Sequence, residues 1–152
     1  MSGARELFHD LIRFETELWN GLDARLLADV RLPLSWFEPM SFIDQNGACP
    51  VNDIADALSI TVGGTSKLVD RLEAAGLSVR RPNPDDRRSS LVSLTPLGEQ
   101  RLAEAALAVD DELTRWFALP DSTLDRFHSV LRRLRADALT PRDHDTPEAD
   151  HG

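Results

Sequence analysis

Residues 51–98 read VNDIADALSITVGGTSKLVDRLEAAGLSVRRPNPDDRRSSLVSLTPLG, and the fold is decided there. The opening stretch, Val51 to Leu58, has the spacing of a short helix with Ile54, Ala55 and Leu58 on one side. Ser59-Ile60-Thr61 is a tight turn. Thr61 is a ready N-cap for a second helix, expected from about Val62 to Ala75. Its inner face is Thr65, Leu68, Val69 and Leu72; Gly63, Gly64, Ser66, Lys67, Asp70 and Arg71 are left outside. Gly76 is a good stop. The next residues, Leu77 to Arg81, read as a strand, and Pro82-Asn83-Pro84-Asp85-Asp86 is dense turn chemistry. Ser90 to Leu94 alternates as the return strand. Two short helices joined by a tight turn and followed by a basic hairpin make a winged helix-turn-helix. The second helix is the candidate major-groove reader.

Working outward, residues 5–30 carry an apolar stripe through Leu7, Phe8, Leu11, Ile12, Leu18, Trp19, Leu22, Leu26 and Leu27, the pattern of one amphipathic helix. A second helix is expected from about Leu34 to Gln45, with Pro39 placed to kink it and Asn46-Gly47 ending it. Beyond the hairpin, Thr95-Pro96 opens a long helix that runs to Leu119-Pro120. Asp121-Ser122 caps a last one to about Leu139. The tail from Thr140 to Gly152 is polar with two prolines and is expected to be disordered. The fold class is therefore mainly α with a small β-hairpin wing. The winged helix spans about 34–94, flanked by helices at about 5–30 and 95–139, within one domain of residues 1–139.

A chain of 152 residues, 41% apolar and 28% charged, is an ordinary globular protein rather than a fibrous or disordered one. No apolar run is long enough to span a bilayer, and Glu6 and Asp10 interrupt the start of any secretory signal. Cys49 is the only cysteine, which excludes an internal disulfide and suits the cytoplasm. Enzymatic readings have no footing. His9, His128, His144 and His151 are scattered without metal-ligand spacing, and no glycine-rich phosphate loop occurs. No metal or cofactor is expected.

The net charge of −9 argues at first against nucleic acid, but its distribution does not. Residues 61–94 hold six cations against four acids, between two acidic flanks. Lys67 is the only lysine in the chain. A local basic patch matters more to a polyanion than the global sum. The expected DNA-binding residues on the second helix are Thr61, Gly63, Gly64, Thr65, Ser66, Lys67 and Arg71. Gly63 and Gly64 either let the backbone approach the sugar-phosphate chain or only loosen the first turn. Lys67 and Arg71, four apart, share a face and can reach phosphate or guanine. On the hairpin the candidates are Arg80, Arg81, Asp86, Arg87, Arg88, Ser89 and Ser90. An arginine over a narrow minor groove meets enhanced negative potential, and Asp86 is spaced to hold the Arg88 guanidinium in one geometry.

The stretch from Val51 to Gly98 resembles the multiple antibiotic resistance regulator (MarR) family of bacterial transcription factors. The resemblance rests on Asp86, Arg88, Leu94, Thr95 and Gly98 in the wing pattern, and on Leu72, Gly76 and Leu77 closing the reader helix. It implies a homodimer on a pseudo-palindromic operator in double-stranded DNA, with the terminal helices interlocked. Trp116, Phe117, Leu124, Phe127, Leu131 and Leu134 would join the N-terminal stripe in the dimer core. It also implies Arg88 in the minor groove, and repression released by a small, often aromatic acidic, effector. Effector candidates on this reading are Arg13, Trp36 and Met40, with His9 and Trp19 behind them. Pro39 departs from the pattern. So does the lack of a cysteine early in the first helix, where the oxidant-sensing relatives carry theirs; Cys49 reads as a small hydrophobe. The rival reading is a winged helix used for protein docking, with no operator of its own and no dependence on Arg88.

Overall fold

The computed structural model describes residues 2–139, so the expectation for the tail from Thr140 onward lies outside the described residues. The elements in chain order are α1 (Ser2–Asp29), α2 (Leu34–Asn46), β1 (Cys49–Pro50), α3 (Val51–Leu58), α4 (Val62–Ala74), β2 (Ser78–Pro82), β3 (Ser90–Leu94), α5 (Pro96–Trp116) and α6 (Asp121–Leu139). They fall into two compact units, one ending at Trp116 and one beginning at Phe117.

The first unit has one core. Leu22 and Leu26 of α1, Met40 and Ile43 of α2, Ile54 of α3, Val69 and Leu72 of α4, Val92 of β3 and Leu102, Ala105 and Val109 of α5 meet there. The sheet is antiparallel in the order β1-β3-β2. Its hairpin pairs Ser78 with Leu94 and Pro82 with Ser90, and Cys49 pairs with Val92 on the other side. The strand β1 was not expected. Two residues, one of them proline, show no periodicity to read.

Pro39 sits inside α2, which nonetheless continues to Asn46. The carbonyl it cannot serve belongs to Ser35, in the exposed first turn, where water can replace the missing amide. The start of α2 is capped from a distance. Pro33 offers no side-chain cap, and the Leu34 N–H donates instead to Asp23 Oδ1 of α1 at 2.8 Å.

Two junctions fix the winged helix in place. At the end of α4, Gly76 takes φ +74°, the Gly76 N–H donates to the Glu73 carbonyl at 2.9 Å and the Leu77 N–H donates to the Leu72 carbonyl at 2.9 Å. That is a Schellman closure, and it moves the start of β2 one residue past the sequence expectation. At the start of α5, the Thr95 N–H donates to the Leu77 carbonyl at 3.0 Å and the Thr95 hydroxyl to the Gly76 carbonyl at 2.6 Å. The same hydroxyl accepts from the Gly98 N–H at 3.1 Å, capping the helix. Gly98 is pressed so close to Leu77 that a Cβ there would lie 2.0 Å from the Leu77 carbonyl oxygen.

The contact of α1 with α5 is equally tight. Trp116 lies against Gly21, stacks edge-on to Phe14 at 6.0 Å and donates from Nε1 to Glu112 at 3.0 Å. Trp116 is thus packed against α1 of its own chain and remains half-buried. Arg25 of α1 pairs with Asp29, Asp111 and Glu112. In the second unit, α6 leaves Phe127, Val130 and Leu134 exposed.

Candidate nucleic-acid interface

The reader helix α4 begins as expected. The Gly64 N–H donates to Thr61 Oγ1 at 3.0 Å, so Thr61 is the N-cap. A Cβ on Gly64 would meet that same hydroxyl at 3.0 Å, whereas one on Gly63 would meet nothing within 4 Å. The two glycines therefore differ: Gly64 makes room for the cap, and Gly63 is open toward whatever the helix faces. Thr65 corrects the expectation. It is 0% exposed, and its hydroxyl donates back to the Thr61 carbonyl at 2.9 Å. It belongs to the core. Ser66 is half-buried, while Lys67 and Arg71 are exposed on the outer face.

Arg80 is the larger correction. Its Nη1 bonds Asp70 at 2.5 Å and Glu73 at 2.9 Å, and its Nη2 donates to the Ser66 carbonyl at 3.2 Å. Burial alone would lower its pKa, but the hydrogen bonds it donates to Asp70 and Glu73, with their negative charge, outweigh that and raise it. Arg80 is a strut that ties the wing strand to the reader helix, with its side chain only 23% exposed. The replacement Arg80→Met is expected to lower both the melting temperature and DNA affinity while leaving the salt dependence of binding nearly unchanged. A drop in the salt slope of about one in a binding titration would mean that Arg80 contacts phosphate after all.

The wing turn is held by side chains of its own. Asp86 Oδ1 accepts from the Arg88 backbone N–H at 2.9 Å, and Asn83 Oδ1 accepts from the Asp85 N–H at 3.0 Å. Asn83 Nδ2 also donates to Ser89 Oγ at 3.0 Å, so the Ser89 hydroxyl is engaged in the turn. Asp86 thus positions Arg88 through its backbone rather than gripping its guanidinium. Arg81, Arg87 and Arg88 are exposed, and Ser90 is half-buried. A cleft of about 450 Å³ separates reader helix from wing, with Val62 and Ser66 on one wall, Arg88, Ser89 and Ser90 on the other, and Asn52 of α3 at the edge. Asn52 and Val62 also line this cleft and were not among the residues expected there.

The effector candidates do not converge. Met40 is 0% exposed within the core, and Arg13 is exposed on α1. Trp36 lines a small cleft of about 160 Å³ with Arg31, Leu97 and Arg101, where neither of the others appears. Arg13 stands ten residues before Asp23, which caps α2, a distance of about 15 Å along a helix. The thiol of Cys49 is buried and pushed up in pKa by that burial and then by Asp53, the opposite of a reactive thiolate. Among the described residues no cluster of metal-ligating side chains occurs, and no helix is long and apolar enough to cross a membrane.

The comparisons agree with this geometry. The MarR family model matches residues 32–89. The multiple antibiotic resistance protein MarR of Salmonella typhimurium is 31% identical over 104 residues, spanning 64% of this chain and 72% of that protein. The chain belongs to the MarR family. It is accordingly a DNA-binding transcriptional regulator and not an enzyme. The transcriptional repressor CouR, solved bound to a 23-mer DNA duplex, is 29% identical with a TM-score of 0.76, covering 85% of this chain and 92% of that one. A MarR family regulator from Streptomyces coelicolor, solved in complex with DNA, has a TM-score of 0.84 at 22% identity, covering 97% of this chain and 94% of that one. At that identity the likeness bears on the MarR fold, which is mainly α with a three-stranded sheet.

Proposed function

We propose that this MarR-family chain acts in the cytoplasm as a homodimeric repressor that grips a pseudo-palindromic operator with α4 and the wing. One observation carries the reading. Among the described residues, Lys67, Arg71, Arg81, Arg87 and Arg88 are in no ion pair. Three of the four acids in the same segment are occupied, Asp70 and Glu73 by Arg80 and Asp86 by the Arg88 backbone. Five unpaired cations are therefore open to a polyanion on this surface, although the net charge of the segment is unchanged. Gly63, Gly64, Ser66 and Ser90 border that surface, and Thr61 caps it. The exposed Leu7, Phe8 and Ile12 of α1 and Phe127, Val130 and Leu134 of α6 supply apolar area for a second copy.

The reading is tested with a reporter gene placed under the DNA that lies upstream of the chain's own gene. Expression should fall when the chain is supplied, and Arg88→Ala should restore it. Unchanged expression with the intact chain would count against repression at that site. Lys67→Met is expected to weaken binding and to reduce the log-log salt slope by about one, as for the loss of one phosphate contact. Loss of discrimination at a single base pair, with the slope intact, would make Lys67 a base reader.

Release by a small acidic aromatic effector belongs to the same proposal. The cleft beside Trp36 supports it, because Arg31 supplies positive charge, Arg101 lies beside it paired to Glu104, and the indole supplies a face for stacking. Titration with a panel of hydroxybenzoic acids should quench tryptophan fluorescence and lower DNA affinity together. A panel that changes neither would remove this effector class.

A further inference from the structure

The first two turns of α4 present one large apolar side chain to solvent. Val62 is the first residue of the helix and is 51% exposed, although Val69 and Leu72 on the other face are buried completely. Its neighbours on the outer face are Gly63, Gly64, Ser66 and Lys67, none of which shields it. It borders the cleft that Arg88 closes from the wing side, with Ser66 one turn further along the helix. Val51 is the only other large apolar residue lining that cleft, and about half of Val62 stays open to solvent. Reader helices place their N-terminal residues against base edges. In the major groove the apolar feature of a base pair is the C5 methyl group of thymine. A β-branched side chain is stiff about χ1, so it meets such a methyl group with little ordering cost.

We propose that Val62 reads thymine, by packing its methyl groups against the C5 methyl of one thymine in each half-site while Arg88 holds the adjacent minor groove. The inference rests on the DNA-recognition reading above and adds a specificity-determining residue to it.

The test uses duplexes selected from a random pool by the full chain. Each thymine of the selected half-site is replaced singly by deoxyuridine, which removes the methyl group and keeps every hydrogen bond. Binding is followed by fluorescence anisotropy for the intact chain and for Val62→Ala. One position should lose affinity by about fourfold on methyl removal, the value for one buried methyl-sized group. Val62→Ala should bind the thymine duplex more weakly by a similar factor and show no further loss with deoxyuridine at that position. The proposal is overturned if no thymine matters to the intact chain, or if methyl removal costs both proteins equally. A docking role for Val62 with the neighbouring exposed Ile60 would give the first of these results. A selection that enriches no sequence would remove DNA recognition itself, and this proposal with it.

Discussion

Replacing Gly98 by alanine is expected to lower the melting temperature of this MarR-family chain by about 10 °C, corresponding to roughly 3 kcal/mol of overpacking strain. The new Cβ would sit 2.0 Å from the Leu77 carbonyl oxygen, which is backbone and cannot swing aside. That carbonyl already accepts the Thr95 N–H at 3.0 Å, and the preceding Gly76 carbonyl accepts the Thr95 hydroxyl at 2.6 Å. Relief of the clash requires α5 to lift away from the end of α4, which breaks both bonds. Differential scanning calorimetry reads the effect. The matching control is Gly63→Ala, where the added Cβ meets nothing within 4 Å. It should be neutral or stabilise by up to about 1 kcal/mol, since alanine is the better helix former. A melting temperature for Gly98→Ala within about 2 °C of the parent would show that α5 is not seated on Leu77 in this way.

The second large effect is on binding. Arg88→Ala should weaken the operator complex by about 1–3 kcal/mol, about five- to 150-fold, and erase a preference for A·T-rich flanks. Stability should not change. Among the described residues the Arg88 guanidinium is in no ion pair, and the bond to Asp86 uses the backbone N–H, which alanine keeps. The same geometry separates two substitutions at the neighbouring position. Asp86→Asn preserves an oxygen acceptor for that N–H and should retain most of the affinity, while Asp86→Ala should lose it. Equal binding by both would show that the turn does not need this bond.

The winged helix was legible because its signals are local. The alternation of β3, the cap at Thr61 and the stop at Gly76 each lie within a few residues of what they control, and the ranges of α3 and β3 match the reading of the chain. Thr95 was legible as the cap of α5; what the structure adds is that the same hydroxyl tethers the end of α4 through the Gly76 carbonyl. What was not legible depends on residues far apart in sequence. Asp23 caps a helix that starts eleven positions later. Arg80 looked like one more free cation until the fold brought Asp70 and Glu73 to it. Thr65 falls on the inner face of α4 by its spacing and is buried there, so its place among the DNA contacts was at odds with its own helix position. Nor was it legible which of Arg13, Trp36 and Met40 share a cavity, since helix spacing alone does not tell.

The most direct test of the account is binding of the full chain to a duplex selected from a random pool. Fluorescence anisotropy would be followed across a range of salt concentrations, with scrambled duplex and Arg88→Ala alongside. A two-fold-symmetric site should be enriched, its affinity should fall steeply with salt at a log-log slope of about −0.9 per phosphate contact, and the variant should lose it. A chain that enriches no site, binds both duplexes equally and is indifferent to Arg88 would contradict the claim that α4 and the wing read DNA.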